Sequence, residues 1–443
     1  MPAAGGLFFP QSRSLGIDQS DASPAVLQQL TYAGTVSRSF AEACDIVTHL
    51  TELTVSVKQV ERVTERSGAE RVAERDAATA TFQALPLVEK FAAPPQVRPS
   101  ELVVVMADGG RLQIRDPPQT AAEPVAVAVA AATEPDWDEE PVPKSGHWRE
   151  DKVGLLLTMQ SVVSAVDPCP EIPASFLDVV RIPKLARQLK KNAKATEEAV
   201  ADTDEPEVAE QALQSDTSYQ PPQVQQRQVV ASRGCWSVFA PLLASAAWAC
   251  GFQGATRKAF VADGSANNWT LQRRFFGSFV PILDFIHALS YVFAAAMAGQ
   301  PFAVGWVCYQ QWIRWVWQGQ VGQVLAALRA RQEELGLPAE REPETSPRQV
   351  VAKALTYLSN HQGKMKYDAY RRQGLPLTSS LMESVVKQIN RRVKGTEKFW
   401  SEAGSEAVLQ LRADQLSDGE PLAAFWVRRQ AAATGQRRYR RTG

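Results

Sequence analysis

The stretch RKAFVADGSANNW, residues 257–269, is a short apolar run that ends on Asp263 and continues into a glycine. A second stretch, ELVVVMADGGRL at 101–112, ends in the same way on Asp108. Asp-Gly is a common turn dipeptide, because glycine accepts positive φ and aspartate bonds its own local backbone. One interpretation of both sites is therefore a turn, and the other is a pair of functional carboxylates at strand ends.

The composition limits the class of protein. The chain has 443 residues, enough for two or three domains, and its formal net charge is zero, so a nucleic-acid surface would have to come from local clusters. Its five cysteines are scattered without a CxxC pair, which argues against a zinc ribbon and predicts a reducing, cytoplasmic location. The most apolar stretch, 237–252, is short for a membrane span and predicts a buried helix, so no membrane partner is expected.

Residues 39–68 have the apolar periodicity of two helices joined by a short break. Ser56 is the expected N-cap of the second helix, which is predicted to bury a row of valines and to end before Gly68. The other face of this helix carries three basic side chains: Lys58, Arg62 and Arg66. The pattern resembles a helix-turn-helix DNA-binding unit within an N-terminal helical region 1–95, although any helical hairpin produces the same pattern.

The pattern becomes β-type near residue 100. LVVVMA and RLQIR are predicted strands separated by Gly109-Gly110 in a hairpin-like arrangement, and 148–159 predicts a third strand. Two low-complexity segments, near 116–143 and 188–230, are predicted to be loose insertions.

A sequence of strands and helices follows these insertions. The expected order is an apolar helix after Cys235, the strand KAFVA, a helix from about Trp269, the strand FVPILDF, and a helix from His287. Residues 96–295 are therefore assigned to the first part of a core.

Residues 296–372 are predicted to be a helical insertion, and they contain the Trp-rich string GWVCYQQWIRWVWQG. Its aromatic side chains are interpreted as core anchors, with stacking on an exposed DNA base as the alternative. They are Trp306, Tyr309, Trp312, Trp315 and Trp317. The second part of the core is assigned to 373–425, and a basic tail to 426–443.

QGLPLTSSLMESVVKQINRRVKGTEKFWS, residues 373–401, predicts a helix from about Leu381 with Glu383 in its first turn. An acid at this position often serves only as a favourable partner for the helix dipole. Here it precedes a basic helix, which suits a carboxylate that faces DNA phosphates. The basic side chains predicted to contact phosphates are Lys387, Arg391 and Arg392.

Two strand-end aspartates and one helical glutamate form the ligand set of two-metal phosphoryl transfer. Mg²⁺ prefers carboxylate oxygens, and two ions about 4 Å apart activate the attacking oxygen and stabilise the leaving one. Strands and a helix of one sheet can bring such carboxylates together although they are distant in sequence. The order β-β-β-α-β-α fits an α/β, RNase H-like core with a mixed sheet, preceded by the helical domain and interrupted by the helical insertion.

These strings resemble the DDE insertion-sequence transposases of bacteria, and most closely the Kra group. The resemblance covers most of the chain and includes FFPQSRSLGI, VMADGGRLQIRD, HWREDKVGLLLTM, FVADGSANNW and YRRQGLPLTSSLMESVVKQINRRVKGTEKFW. It implies that Asp108, Asp263 and Glu383 are the catalytic acids and that they hold two Mg²⁺ ions, with Mn²⁺ as a substitute. Family members usually carry a longer, Cys-rich N-terminal region.

The resemblance extends to ILDFIHA, in which Asp284 and His287 form a DxxH motif similar to one that related transposases carry after the second acid. It implies an accessory role in positioning the active site or the DNA. The alternative is a strand-end aspartate beside a satisfied histidine. The implied partners are the DNA of the element ends and target and a second copy of the chain in a synaptic complex, on the nucleoid of a bacterial cytoplasm.

The sequence therefore predicts a DNA transposase that cleaves at element ends with the help of metal ions and transfers the freed 3′-OH to target DNA. Three alternatives remain open. The first is an RNase H-like nuclease with the same acids but no strand transfer, and the second is a non-catalytic DNA-binding protein derived from a transposase. The third is an α/β protein whose Asp-Gly pairs are accidental turns.

Overall fold

The computed structural model describes residues 7–8, 11, 14, 22–115, 137, 147–194, 219–395, 397–433 and 436–437. The predicted insertion near 116–143 lies outside these residues except for Trp137, as do 195–218 of the second insertion and 438–443 of the predicted basic tail. In its described part the chain is a mixed α/β protein, in which helices pack against a six-stranded mixed sheet.

The helices are numbered here in chain order. They are α1 (Pro24–Val36), α2 (Phe40–Leu50), α3 (Val57–Ala84), α4 (Leu87–Lys90), α5 (Arg181–Lys194), α6 (Trp236–Ala249), α7 (Ala266–Phe275), α8 (Phe285–Met297), α9 (Phe302–Trp317), α10 (Val321–Leu335), α11 (Pro347–His361), α12 (Tyr367–Arg372), α13 (Ser380–Val393), α14 (Glu402–Leu416) and α15 (Pro421–Ala431). The buried helix predicted at 237–252 is confirmed by α6. In the described ranges, none of the helices has the length and apolarity that a membrane span needs.

The sheet combines antiparallel and parallel strands. Its strands are β2 (Leu102–Ile114), β3 (Trp148–Gln160), β4 (Gln223–Ser232), β5 (Arg257–Ala262), β6 (Val280–Leu283) and β7 (Phe399–Trp400). The order is β4-β3-β2-β5-β6, with β7 beside the end of β2. The first three strands in the chain pair antiparallel, whereas β5 and β6 run parallel to β2. The short strands β1 (Leu7–Phe8) and β8 (Gln436–Arg437) pair with each other outside this sheet.

β2 differs from its prediction as two strands in a hairpin-like arrangement. It is one continuous strand, in which Gly109 and Gly110 pair with Lys152 and Asp151 of β3, and neither glycine has positive φ. The antiparallel ladder with β3 continues through the glycines and satisfies their backbone groups without a turn. The hairpin prediction is therefore wrong, and Asp108 lies inside a strand rather than at its tip.

The N-terminal helices confirm one local signal and overturn another. Ser56 caps α3 and forms a capping box with Gln59, as its position predicts. However, α3 is 28 residues long and continues through Gly68, so the predicted helix end is wrong. A Cβ added to Gly68 would lie 2.5 Å from the backbone oxygen of Ala407 in α14. This glycine therefore marks a close approach of two helices and not a helix stop.

β4 corrects the prediction that all of 188–230 is a loose insertion, because Gln223–Val230 belongs to a strand at the sheet edge. Its first half is exposed and glutamine-rich, whereas Val229–Ser232 is buried. A polar composition is compatible with an edge strand, since only one side of its backbone ladder is paired. Composition alone therefore gave the wrong assignment here.

The Trp-rich block confirms the prediction of core anchors at its best-buried positions. Tyr309 and Trp317 are fully buried in α9, and Trp312 is 7% exposed. The indole nitrogen of Trp317 donates to the backbone oxygen of Cys169 at 2.8 Å. The other two tryptophans of the string are partly buried. These contacts assign the string to internal packing between α9 and the segment that follows β3.

Candidate active site

The first two predicted acids lie at the same end of two neighbouring strands. β2 and β5 pair in parallel as far as Met106 and Val261. Asp108 lies two residues beyond Met106 in β2, and Asp263 directly follows the end of β5. The two carboxyl groups are close enough for the charge of Asp263 to raise the pKa of Asp108.

Asp263 occupies a rigid turn between β5 and α7. Its Oδ1 accepts hydrogen bonds of 3.0 Å from the backbone of Ser265 and from the side chain of Asn268. Gly264 has a φ of +101°, a conformation that glycine adopts without strain. This Asp-Gly pair thus forms the predicted turn, and the turn leaves one carboxylate oxygen outside these two bonds.

Tyr357 of α11 contacts the same turn. Its hydroxyl donates to the backbone oxygen of Asp263 at 2.6 Å, and its ring stacks on Tyr291 with centroids 3.8 Å apart. A Cβ on Gly264 would lie 2.7 Å from the Tyr357 hydroxyl oxygen. α11 therefore supports the turn that carries Asp263.

Glu383 lies in the first turn of α13, which packs against β2. Burial raises the pKa of Glu383, and the negative charge of Asp284 adds to this effect, while His287 and Lys387 oppose it. The helix thus carries the third acid onto the strand that bears Asp108.

Electrostatic coupling connects the three acids. Burial raises the pKa of Asp108 to about 7, and the charges of Asp263 and Glu383 contribute to this rise, while the backbone N–H of Gly109 and the charge of His287 oppose it. Asp108 therefore lies near two further carboxyl groups, and positive charge at this place would offset their repulsion of it.

The DxxH motif connects two segments of the site. Asp284 is buried; its Oδ1 accepts from the backbone of Ile286 at 2.6 Å and caps α8. Its Oδ2 accepts the backbone N–H of Ser379 at 3.0 Å and also the Ser379 hydroxyl. Burial alone would raise the pKa of Asp284, but the nearby His287 and the hydrogen bonds from Ser379 hold it below its usual value.

His287 supplies positive charge to the acids. Its Nδ1 lies 3.4 Å from Oδ2 of Asp284. Burial opposes protonation, but the attraction of Asp284, reinforced by Asp263 and Glu383, outweighs it and raises the pKa of His287 to about 9. The structure therefore brings together the predicted acids and the predicted accessory pair.

The predicted DNA contacts on α13 occupy different environments. Lys387 and Arg391 are exposed, and Lys387 is close enough to Glu383 to lower its pKa. Arg392 is only 2% exposed, and its guanidinium lies over the rings of Phe40 and Trp400 at 4.4 and 5.0 Å. Arg392 is therefore held between the N-terminal helices and the core, whereas Lys387 and Arg391 lie at the surface.

The three basic residues of α3 all lie on its exposed face. Lys58 forms an ion pair with Glu61 at 2.9 Å, and Arg66 forms one with Glu70 at 3.3 Å. Exposed pairs of this kind contribute little to stability. Lys58 and Arg66 can therefore leave their carboxylate partners and contact a phosphate with little loss of free energy. Their role in DNA binding, with that of Arg62, stays a prediction.

The donor set suits a hard divalent cation in its chemistry. In the described part of the chain, no group of three or more His, Cys, Asp or Glu side chains is arranged to hold a metal ion. Asp108, Asp263 and Glu383 nevertheless supply carboxylate oxygens, which Mg²⁺ prefers, and a cation between them would relieve the repulsion described above. The three acids therefore have the ligand type that Mg²⁺ prefers, but their described side chains are not arranged to hold an ion.

Two supporting residues were not identified from the sequence. Tyr357 lies in an amphipathic helix and Ser379 directly precedes α13, and neither has a local signal for its contact. No protein-family model matches the chain, and no curated protein matches it either.

Proposed function

We propose that the chain is a DDE-type DNA transposase, which cleaves DNA at the ends of a mobile element and joins the freed 3′-OH to target DNA. The observation that carries the proposal is the position of Asp108 near both Asp263 and Glu383, two acids from distant segments whose charges raise its pKa. A structural role for all three is disfavoured, because like charges gathered at one site destabilise a fold unless a cation balances them.

The sheet topology supports this proposal. Three antiparallel strands followed by two parallel ones, in the order β4-β3-β2-β5-β6, agree with the RNase H-like core that the resemblance implies. The first acid lies on the central strand, the second follows its parallel neighbour, and the third lies on a helix packed over them. Helices α2 and α3 supply the helix-turn-helix-like DNA-binding unit of the proposal.

Each group of the site has a separate task in the proposed reaction. Mg²⁺ ions held by Asp108, Asp263 and Glu383, or Mn²⁺ in their place, would activate the attacking oxygen and stabilise the leaving one. Water is the nucleophile for cleavage and the 3′-OH for joining. Lys387 attracts the phosphate beside Glu383, and Asp284 positions the start of α13 through Ser379.

The proposed partners are the DNA of the element ends, target DNA and a second copy of the chain. In this account the protein acts on the nucleoid in a bacterial cytoplasm. The basic side chains of α3 and α13 supply phosphate contacts without sequence preference, since charge contacts position a protein on DNA but do not specify bases.

A cleavage and strand-transfer assay tests the proposal. Labelled DNA that spans the flanks of the gene is incubated with the full chain and Mg²⁺ or Mn²⁺. Metal-dependent nicking and joined products are expected, and Asp263→Asn and Glu383→Gln should abolish both. The exposed Glu333 of α10 provides a matched control, since Glu333→Gln makes the same chemical change outside the site. Nicking without joining would indicate a nuclease, and binding without nicking a non-catalytic DNA-binding protein.

A further inference from the structure

A cleft of about 250 Å³ separates the N-terminal helices from α13 and α14. Its walls come from the α1–α2 junction on one side and from the last turns of α13 and the middle of α14 on the other. The charged side chains that line it are Arg38, Glu42, Arg391, Arg392 and Arg412. Among the described residues, four arginines and one acid therefore line the same space.

The positive charges in and beside this cleft repel one another. Burial lowers the pKa of Arg392 to about 10, and the charge of Arg412 adds to the effect, while the charges of Glu42 and Glu65 oppose it. Burial also lowers the pKa of Arg412, with Arg391 contributing repulsion. The neighbouring Lys398 has its pKa lowered to about 8 by burial and by the charges of Arg392 and Arg38. A negatively charged ligand in the cleft would offset the repulsion among these positive side chains.

Two hydrogen-bond donors in the cleft lack acceptors among the described residues. One is the hydroxyl of Ser37, a residue that is 5% exposed, and the other is Nη2 of the buried Arg392. Arg392 is held in place by a 2.9 Å bond from its Nε to the backbone oxygen of Gly34. Buried donors without a partner are costly, so two of them in one cationic cleft indicate a missing oxygen acceptor.

We propose that this cleft binds a backbone phosphate of the DNA, roughly 3–4 nucleotides along the strand from the phosphate at the acid site. The choice of DNA over a free phosphate rests on the proposed function and on the geometry of α13. Arg391 follows Glu383 by eight residues on that helix, which is about 12 Å at 1.5 Å per residue. That distance corresponds to a rise of roughly 3–4 base pairs, so one DNA strand can reach both places.

Glu42 is the acid in the cleft lining, and its charge opposes the binding of an anion. Its Oε2 accepts the backbone N–H of Arg38 at 2.5 Å, which places the carboxylate at the mouth of the α1–α2 junction. A phosphate must overcome repulsion from this one acid. Glu42→Gln keeps a side-chain oxygen for the backbone bond and removes the charge, so it is expected to tighten DNA binding several-fold.

The test measures binding of a fluorescent DNA duplex to the full chain by anisotropy at several NaCl concentrations. Arg412→Gln should weaken binding about tenfold and make the slope of log K against log salt shallower by about 0.9, the effect of one phosphate contact. Arg329→Gln is the matched control, because it removes the same charge from an exposed position on α10. It should change neither the affinity nor the slope.

Ser37→Ala separates phosphate binding from a structural role. Removal of a buried hydroxyl without a partner should leave the melting temperature equal or higher, yet weaken DNA binding a few-fold with no change in the salt slope. A merely structural serine would show no change in affinity.

Three outcomes decide the proposal. DNA affinities of Arg412→Gln and Ser37→Ala that match Arg329→Gln would overturn it, even if wild-type protein cuts DNA. A second contrary outcome is that inorganic phosphate stabilises wild type but not Arg412→Gln, while the substitution leaves the DNA affinity unchanged. The cleft would then bind a free anion, and the proposal would be overturned. Weakened DNA binding in both variants supports the proposed phosphate site. This holds even if wild type shows no metal-dependent cleavage, because that result would contradict only the transposase assignment.

Discussion

Ser379 donates both its backbone N–H and its hydroxyl to Oδ2 of Asp284, a residue 95 positions earlier in the chain. The acceptor caps α8, and the donor directly precedes α13, the helix that carries Glu383. Asp284 of the DxxH motif is therefore bonded to the residue that directly precedes α13. This contact accounts for an aspartate that is fully buried yet charged, because its two oxygens receive bonds from three groups and an ion pair from His287.

The Asp284–Ser379 contact is expected to appear as a coupling energy. Asp284→Asn and Ser379→Ala should each lower the free energy of unfolding by about 1–3 kcal/mol, since each disturbs buried charge-assisted hydrogen bonds. The double variant should lose less than the sum of the two, with a coupling of at least about 0.5 kcal/mol in denaturant unfolding. Both single variants should also slow DNA cleavage. Strictly additive losses would show that the two residues do not act on each other.

Asp151 is expected to make stability depend on pH. It is fully buried in β3, neither of its carboxylate oxygens has a hydrogen-bond partner among the described residues, and burial raises its pKa to about 7. Because the folded state binds this proton more tightly than the unfolded chain does, the stabilisation is present at low pH and is lost as pH rises from about 4 to about 7.

Asp151→Asn removes that titration. The stability of wild type should fall relative to this variant by up to about 1.4 kcal/mol per pH unit across that window, as measured by denaturant unfolding. Asp45→Asn, an exposed position on α2, serves as the control and should run parallel to wild type. Parallel curves for Asp151→Asn as well would mean that Asp151 titrates normally.

Two glycine-to-alanine substitutions are expected to have opposite signs. Gly68→Ala should destabilise the protein by about 1–3 kcal/mol, because the new Cβ meets the backbone of Ala407 in a packed interface. Gly322→Ala, within α10, meets no atom within 4 Å and should stabilise by about 0.5–1 kcal/mol through helix propensity. Thermal unfolding measures both. A tolerated alanine at Gly68 would contradict the close contact between α3 and α14.

Tyr357→Phe is expected to weaken the support of the second acid without disturbing the fold. It removes the 2.6 Å bond to the backbone of Asp263 and keeps the ring stack on Tyr291. A loss of about 0.5–1.5 kcal/mol in stability and a slower cleavage rate should follow. Tyr32→Phe offers a control at an exposed position in α1. Cleavage that matches wild type would show that the insertion does not position Asp263.

Local signals were sufficient for the parts of the fold that neighbours in sequence determine. The cap at Ser56, the strand before Asp263 and the helix of Glu383 depend on spacing and capping within a few residues. The predictions at Gly68 and at the glycine pair after Asp108 were wrong, because distant segments determine these conformations. Gly68 packs against α14, and the glycine pair is bonded to β3.

The candidate acids have signals in the sequence, whereas the residues that contact them do not. Each acid follows a pattern that the sequence displays, whereas Tyr357 and Ser379 contact their partners across 94 and 95 residues. Neither contact has a local signature, because a single hydroxyl in a helix or loop serves many purposes. The burial of Arg392 depends in the same way on Phe40 and Trp400, which only the folded chain brings together.

The most direct test of the central claim measures divalent metal binding by the three carboxylates. Mn²⁺ bound to the full chain is counted by electron paramagnetic resonance, with Asp263→Asn, Glu383→Gln and the exposed control Glu333→Gln beside wild type. The account predicts two bound ions in wild type and in the control, and a loss of binding in both acid variants. Absence of bound Mn²⁺ in wild type, or binding that persists in both acid variants, would contradict it.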